Sequence, residues 1–414
     1  MPVRLGRFRY RVASCASFVI IVLWISKYRL DQSKTDNPLL APILPPGVAS
    51  NNTTIAQQPN YRVHVFYYTW YGSPSFDGNY IHWNHRQLPH WNEYEKRKWS
   101  QDAHIPPDDI AASFYPELGP YSSQDPDILA QHMRWISQSG AGVIALSWYP
   151  PGMSDDNGIP SDSLVPAILD AAAQQGLKVA FHIEPFAGRS ALTMSSNISY
   201  IVERYGAHPA MYRFSWQGQT KPLIYVYDSY LVPPDQWKQL LTKAGIHSIR
   251  ETEYDAFVLG LLVKLEERSL LLHSGFDGFY TYFAANGFTP GSTWKRWQFL
   301  ANFARKNRLI FCPSVSPGYI DDRVRPWNQA AIRDRQNGHY YAQAWSSALS
   351  ARPDLISVTS FNEWHEGTQI EPAAPAKTDP RTGYQYLDYG PGGSTFYLDL
   401  TRQWSQQYLK SQEA

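Results

Sequence analysis

From Tyr61 onward, short runs of apolar, β-branched or aromatic residues alternate with longer amphipathic stretches. A continuously apolar strand is typical of a parallel sheet that is covered on both faces, and the amphipathic stretches supply the covering helices. Eight such runs are predicted to be strands, at residues 63–68, 142–148, 178–184, 223–228, 256–263, 278–283, 309–314 and 355–361. The alternation therefore predicts an α/β fold.

Helical periodicity fills the gaps between these runs. The predicted helices are residues 126–139, 164–175, 200–205, 234–242, 294–306 and 340–351. Gly140, Gly176 and Gly206 stand where a glycine commonly ends a helix. Strands separated by helices in this number predict a closed (β/α)8 TIM barrel rather than an open doubly wound sheet. No Gly-x-Gly-x-x-Gly element follows the first strand, which argues further against a dinucleotide-binding fold.

The N-terminal residues are predicted to lie outside this barrel. Arginines precede an apolar run at residues 13–26, and further basic residues follow it. This pattern predicts a transmembrane signal anchor with residues 1–12 in the cytosol, and a cleaved signal peptide is the alternative. Residues 27–60 are predicted to form a flexible lumenal stem, and residues 61–414 the (β/α)8 domain. Sequons, which agree with a lumenal location, begin at Asn51, Asn52 and Asn197.

Composition narrows the function classes. The chain of 414 residues is 43% hydrophobic with a formal net charge of +1, so we expect no nucleic-acid partner. Aromatic residues are abundant, with 15 Trp, 28 Tyr and 18 Phe. Rings with polar tips can stack on the apolar faces of sugars and bond their hydroxyls, although a tyrosine-rich core explains the same composition. Cys15 and Cys312 are not expected to pair.

Candidate chemistry is concentrated in residues 360–367, which follow the last predicted strand. This segment, SFNEWHEG, places Glu363 and Glu366 among aromatic and amide side chains. Cleavage of a sugar linkage requires such a pair, because one carboxyl group must hold a proton near neutral pH while the other accepts one. Functional groups of a TIM barrel gather at the carboxyl ends of its strands, where this segment is predicted to lie.

A series of motifs makes the chain similar to the glycoprotein endo-α-1,2-mannosidase family. The motifs are FYYTWYG at 66–72, HWNH at 82–85, SFYPELG at 113–119, LSWYPP at 146–151, FHIEP at 181–185, GFDG at 275–278, GYID at 318–321, RPWN at 325–328 and NEWHEGTQIE at 362–371. The similarity covers about residues 61–410. It implies a (β/α)8 glycoside hydrolase of the Golgi membrane, type II in topology, that releases a glucose-capped mannose oligosaccharide from immature N-glycans on glycoproteins.

The same resemblance assigns catalysis to Glu363 and Glu366, with retention of configuration. It implies that Glu363 takes a proton from the substrate's own 2-hydroxyl, giving a 1,2-anhydro sugar, and that Glu366 protonates the departing oxygen and then activates water. An ordinary retaining enzyme would instead use two carboxyl groups about 5 Å apart as nucleophile and acid/base. A glutamate that only pairs with a barrel arginine is a further alternative.

The resemblance also implies substrate-binding residues, each with a plainer structural alternative. Tyr68 and Trp148 are expected to form the floor and wall beside the cleaved bond, or to be packed rim aromatics. His182 and Glu184 share one face of a strand and either bond sugar hydroxyls or form a buried structural pair. Tyr280 is expected near the reacting sugar, and Arg325 is expected either to hold a carboxylate or hydroxyl or to stabilise its loop.

A metal site and a non-catalytic role were the competing hypotheses. His82 and His85 are followed by His90, His104 and acidic residues, a composition that could bind a metal ion. No His-Glu-x-x-His element occurs, and the resemblance implies no metal and no other cofactor. The second function class is a sugar-binding barrel without turnover, such as the "-like" paralogue, from which the motifs do not separate this chain. The presence of both Glu363 and Glu366 favours catalysis.

Overall fold

The computed structural model describes residues 59–413, except Asp156 and Ile159. The predicted cytosolic tail and signal anchor, and the stem up to residue 58, lie outside these residues. Within the part that is described, no helix is both long enough and apolar enough to cross a bilayer.

Parallel strands form the centre of the fold. In spatial order they run β8-β7-β6-β5-β3-β2-β1-β10-β9, and every neighbouring pair in this series is parallel. Their bounds are β1 Asn60–Tyr67, β2 Ala141–Trp148, β3 Lys178–Ile183, β5 Gln219–Val226, β6 Phe257–Leu261, β7 Gly278–Tyr280, β8 Ile310–Cys312, β9 Ser314–Val315 and β10 Ile356–Val358. The predicted parallel arrangement is confirmed.

The barrel is closed by the run that contains β8 and β9. β8 pairs with β7 on one side, while β9 pairs with β10 on the other. Only Pro313 separates the two strands, and its carbonyl accepts a hydrogen bond from the Ser357 amide at 3.0 Å. The two short strands therefore occupy one strand position, and each of the eight predicted runs supplies one position of the barrel.

One strand was not predicted. β4 (Arg213–Trp216) pairs antiparallel with the start of β5. The connecting residues Gln217 and Gly218 both have positive φ angles, 47° and 75°, as a tight two-residue hairpin turn requires.

Helices lie between and after the strands, and most of them pack on the outside of the barrel. They are α1 Pro74–Asp77, α2 Glu93–Lys96, α3 Pro126–Gln138, α4 Val165–Gln174, α5 Ala191–Tyr205, α6 Pro234–Leu241, α7 Glu267–His273, α8 Trp297–Lys306, α9 His339–Ala351 and α10 Phe396–Glu413. The predicted helices are confirmed, but α5 begins at Ala191 rather than at residue 200. Ser190 and Thr193 form a capping box there, and Met194 and Ile198 are buried at helical spacing. Helices α1, α2, α7 and α10 were not predicted.

Two hydrophobic layers result from the alternation of side chains along each strand. Along β2, Ile144, Leu146 and Trp148 face the helices, whereas Val143 and Ala145 face the barrel interior. The interior also holds polar groups, and Tyr225 Oη lies 2.7 Å from His64 Nδ1. Burial lowers the pKa of His64 to about 3, so this imidazole is neutral inside the barrel.

The close contact between β7 and β8 leads to a prediction about stability. A Cβ atom at Gly278 would lie 2.2 Å from the carbonyl oxygen of Ile310, so Gly278→Ala must push the two strands apart. We expect a loss of about 1–3 kcal/mol or more in the free energy of unfolding, measured by chemical denaturation. Gln174→Ala, at the exposed end of α4, is the control and is expected to change stability by less than about 0.5 kcal/mol. Equal stability of the two variants would contradict the close approach.

Candidate active site

A cavity of about 450 Å³ opens at the carboxyl ends of the barrel strands. Its lining includes six of the eight predicted site residues, which are Tyr68, His182, Glu184, Arg325, Glu363 and Glu366. Trp148 and Tyr280 do not line it. The barrel geometry thus brings together groups that are far apart in the sequence, as a TIM-barrel site requires.

Asn362 fixes the glutamate-bearing segment to the end of β1. Its Oδ1 accepts from the Tyr68 amide, and its Nδ2 donates to the Tyr68 carbonyl, both at 2.8 Å. The side-chain amide thereby pairs with the backbone as a neighbouring strand would. Tyr71 Oη also donates to the Asn362 carbonyl at 2.9 Å. These bonds set the position at which Glu363 enters the cavity.

A tight turn then carries Glu363 and Glu366 into the same cavity. The Glu363 amide donates to Ser360 Oγ at 2.8 Å, and the Gly367 amide donates to the Trp364 carbonyl at 3.2 Å. Gly367 has φ of 59°, and a Cβ there would lie 2.4 Å from Ile320 Cγ2. Glycine is required because the turn and the loop containing Ile320 meet at this point.

A buried carboxylate holds the turn from behind. Glu371 Oε2 accepts from Trp364 Nε1 at 2.9 Å and from Tyr121 Oη at 2.8 Å. Glu371 Oε1 lies 3.1 Å from His132 Nε2, and all of these groups are buried. Charge-assisted bonds of this kind are stronger than neutral ones, so Trp364, between the two catalytic candidates, is firmly held. Sequence analysis included Glu371 in a motif but gave it no role.

Burial dominates the electrostatics of the glutamate pair. It raises the pKa of Glu363 well above its usual range; the neighbouring charge of Glu366 adds to this, and Arg325 opposes it. Burial also raises the pKa of Glu366 to about 7, opposed by Arg325 and reinforced by Asp321. Two carboxylates in one poorly solvated cavity do not both ionise readily, so the pair retains a proton near neutral pH.

Arg325 lies between the glutamates and a loop carboxylate. Its Nη1 is 3.1 Å from Asp321 Oδ2 and 3.6 Å from Glu366 Oε1. The ion pair considered as an alternative role for a glutamate is therefore present at Glu366. It does not exclude chemistry, since Glu366 also lines the cavity and is partly protonated near neutral pH.

His182, near the end of β3, and Glu184, directly after that strand, occupy the opposite wall of the cavity. Ser147 Oγ donates to Glu184 Oε1 at 2.8 Å, and His182 Nδ1 lies 3.4 Å from the same oxygen. His182 Nε2 is 2.8 Å from the hydroxyl of Tyr280, which is fully buried deeper in the barrel. Tyr280 therefore contacts His182, and His182 separates it from the cavity.

The structure does not place Trp148 in the cavity wall, where the resemblance had put it. Side chains alternate along β2, so Ser147 faces the interior and Trp148 faces the helices. Its indole Nε1 donates to Asp162 Oδ1 at 2.9 Å, and the side chain is fully buried. The next residue, Tyr149, lines the cavity instead. The prediction was therefore wrong by one residue, since Tyr149 and not Trp148 forms this part of the wall.

Asp228 lines the cavity and was missed as a site residue. It follows β5 in a left-handed conformation, with φ of 48°, and its Oδ1 accepts from Tyr230 Oη at 2.8 Å. Burial raises its pKa to about 6, against the effects of Tyr230 and Arg189. Its position at the end of a strand was the available signal, because the preceding strand ends in the sequence Tyr-Asp.

The histidines near the cavity are used in stacking and in pairs with carboxylates. Rings stack in the order Tyr68, Trp70, His82 and His365, with centroid separations of 4.5, 4.8 and 5.4 Å. His82 Nε2 also pairs with Asp155. Among the described residues, which leave out Asp156, no three His, Cys, Asp or Glu side chains converge in a way that could hold a metal ion.

Comparisons with known proteins agree with this geometry. Residues 58–410 match the model of a family described as glycosyl hydrolase family 99. The glycoprotein endo-alpha-1,2-mannosidase of Xenopus laevis is 52% identical over 356 residues, which are 86% of this chain and 79% of that protein. The glycoprotein endo-alpha-1,2-mannosidase-like protein of Homo sapiens is 53% identical over 352 residues, covering 85% of this chain and 76% of the relative.

A solved structure extends the agreement to three dimensions. The GH99 endo-alpha-mannosidase from Bacteroides thetaiotaomicron is 43% identical, with a TM-score of 0.79, and the match covers 86% of this chain and 100% of the bacterial one. The family match spans nearly all of the barrel and includes the turn that carries Glu363 and Glu366. The chain therefore belongs to glycosyl hydrolase family 99 and is a glycoside hydrolase.

Proposed function

We propose that this enzyme hydrolyses the α-1,2-mannosidic bond within glucosylated high-mannose N-glycans and releases a glucosyl-mannose oligosaccharide. The observation that carries the proposal is the pair of glutamates on one turn of an aromatic-lined cavity, with Glu363 buried and the Glu366 side chain 16% exposed. Relatives of similar sequence are named endo-alpha-1,2-mannosidases, which supports this choice of linkage. The N-glycan on a glycoprotein is thus the proposed partner, with no metal or other cofactor.

In the proposed reaction the substrate supplies its own nucleophile. Glu363 removes the proton of the 2-hydroxyl, whose oxygen attacks the anomeric carbon to give a 1,2-anhydro sugar. Glu366 donates its proton to the departing glycosidic oxygen. The ionised Glu366 then takes a proton from water, which opens the anhydro ring at the anomeric carbon, and Glu363 returns its proton to the 2-oxygen. Two displacements at one carbon give retention of configuration.

Substrate binding must set the proton on Glu366. In the empty cavity burial raises the pKa of both glutamates, so that the pair shares one proton near neutral pH. A 2-hydroxyl that donates to Glu363 stabilises the charged form of that glutamate. The remaining proton then resides on Glu366, from which it is transferred. The bound sugar therefore decides which of the two glutamates holds the proton.

The remaining cavity groups are proposed to hold sugar hydroxyls and ring faces. Tyr68 provides a ring beside the glutamates, and Glu184 and Asp228 offer acceptor oxygens on the opposite wall. His182 binds a hydroxyl or orients Glu184, while Tyr280 fixes the His182 ring from below. Three further groups complete the proposed set: Arg325 as a neighbour of Glu366, Tyr149 as the wall, and Trp148 as packing behind that wall.

The proposed location is the Golgi membrane, with the barrel in the lumen. Residues 1–12 are the proposed cytosolic tail, residues 13–26 the single-pass type II anchor, and the residues from 27 to the start of β1 at Asn60 the stem. The support is the sequence pattern of basic and apolar residues together with the glycan substrate proposed above.

Substitution of the glutamates separates catalysis from binding. Glu363→Gln and Glu366→Gln should each lower turnover by about 10²- to 10⁴-fold, because an acid or base is lost while the shape of the cavity is kept. Released oligosaccharide is measured with a glucosylated high-mannose glycan, and binding by calorimetry with the same glycan. Glu203→Gln, on the exposed face of α5, is the control and should match the wild type. Binding without any release by the wild-type enzyme would instead select the sugar-binding alternative.

The pH dependence follows from the raised pKa values. The active free enzyme carries one proton on the glutamate pair, and the pKa of Glu366 is raised to about 7. We therefore expect kcat/KM to fall as pH rises through about 7, since the proton that is to be donated is lost. On the acid side it should fall again, because protonation of both glutamates removes the base. A profile that is flat from pH 5 to pH 9 would contradict this assignment.

Asp228 should affect substrate binding more than chemistry. Asp228→Asn removes a charged acceptor from the wall opposite the glutamates, and a hydrogen bond to a charged group contributes about 1.5–3 kcal/mol. We expect KM to rise about tenfold or more, with a smaller change in kcat. Steady-state kinetics on the same glycan measure the two parameters separately. A loss confined to kcat would place Asp228 in the reaction rather than in sugar binding.

A further inference from the structure

Asp321 is a fully buried carboxylate on the loop that follows β9. Its Oδ2 accepts from Tyr319 Oη at 2.9 Å, Arg325 Nη1 at 3.1 Å and Asn328 Nδ2 at 2.9 Å. Its Oδ1 is buried and has no hydrogen-bond partner among the described residues. An asparagine could accept the same three bonds through its own oxygen. The feature that only the aspartate supplies is the negative charge.

That charge competes for the arginine beside the glutamate pair. The same nitrogen of Arg325, Nη1, is 3.1 Å from Asp321 Oδ2 and 3.6 Å from Glu366 Oε1. Arg325 is closer to Asp321 than to Glu366, and the three donors at Oδ2 hold Asp321 in place. Asp321 is therefore the main partner of the arginine. Without that partner, the full charge of Arg325 would act on Glu366.

The surroundings of Glu366 contain a small set of other charged or titratable groups. Those that interact with it are Arg325, Asp321, Glu363, Tyr227, Tyr282 and Tyr319. Burial raises the pKa of the three phenols well above the usual range, so they stay neutral through the working pH range. Arg325 stays charged. The balance at Glu366 therefore depends on its glutamate partner, on Arg325 and on Asp321.

We propose that Asp321 is a positioning residue that neutralises Arg325, so that Glu366 keeps the proton it donates to the leaving oxygen. The proposal rests on the function proposed above, in which Glu366 is the acid. It assigns a charge-balancing role to a residue that does not line the cavity.

The electrostatics around Glu366 agree in sign with this role. Burial has the largest effect on the pKa of Glu366 and raises it. Arg325 lowers this pKa and so opposes burial, whereas Asp321 raises it and reinforces burial. Burial also raises the pKa of Asp321, and Arg325 together with Asn328 opposes that change. The donors around Oδ2 thus favour the charged form that the role requires.

The test compares Asp321→Asn with Tyr319→Phe through the pH dependence of kcat/KM on the glucosylated glycan. Asp321→Asn should move the alkaline limb to lower pH by about one unit, the size of effect expected from one nearby charge. Tyr319→Phe removes a hydrogen bond to the same carboxylate oxygen but keeps the charge, so its alkaline limb should stay in place. A purely structural role predicts lower activity in both variants without a difference in the limb.

A second variant should shift the alkaline limb in the opposite direction, which a loss of folded protein would not do. Arg325→Gln removes the cation that stabilises the charged form of Glu366, so its alkaline limb should move to higher pH. Unchanged limbs in Asp321→Asn and Arg325→Gln, with an active wild type, would overturn the role of Asp321 alone. A wild-type enzyme that binds the glycan but releases nothing would overturn the proposed function, and with it the role of Asp321.

Discussion

One guanidinium among three carboxylates is the interaction on which the site depends. Glu363 is buried and Glu366 is partly buried, and burial alone would keep both carboxyl groups protonated, so that neither could accept a proton. Arg325 stabilises negative charge at this point, but an arginine given wholly to Glu366 would remove its proton. Asp321 neutralises part of the charge of Arg325. The site therefore holds an intermediate charge state that neither burial nor a simple ion pair would produce.

The barrel provides the rigidity that this charge balance requires. Asn362 bonds both backbone groups of Tyr68, so the turn after β10 is tied to the first strand as closure of the barrel brings it there. Behind the turn, Glu371 holds the indole of Trp364. Movements of a fraction of an ångström change Coulomb energies at these separations in a poorly solvated cavity. The packing that fixes the position of the turn therefore also controls the protonation of its glutamates.

The sequence predicted the barrel because long apolar runs at strand positions leave little ambiguity about a parallel sheet. It predicted Glu363 and Glu366 because a strand end with paired acids is a local signal. Other features depend on less local information. Side-chain alternation at the end of β2 decides between Trp148 and Tyr149, and a single-residue offset cannot be read from a motif. Asp228 lines the cavity in a left-handed backbone conformation that the sequence alone did not reveal, although its place at a strand end was visible.

The filled interior of the barrel has a consequence for the order of events. Below the cavity, layers of buried side chains such as Tyr225, Tyr280 and His64 close the barrel from beneath. Solvent and glycan therefore share the same entrance at the carboxyl end. In a reaction with two displacements, the severed chain occupies the side from which water must approach the anomeric carbon. In the proposed mechanism, the first product must therefore leave before water can open the anhydro ring.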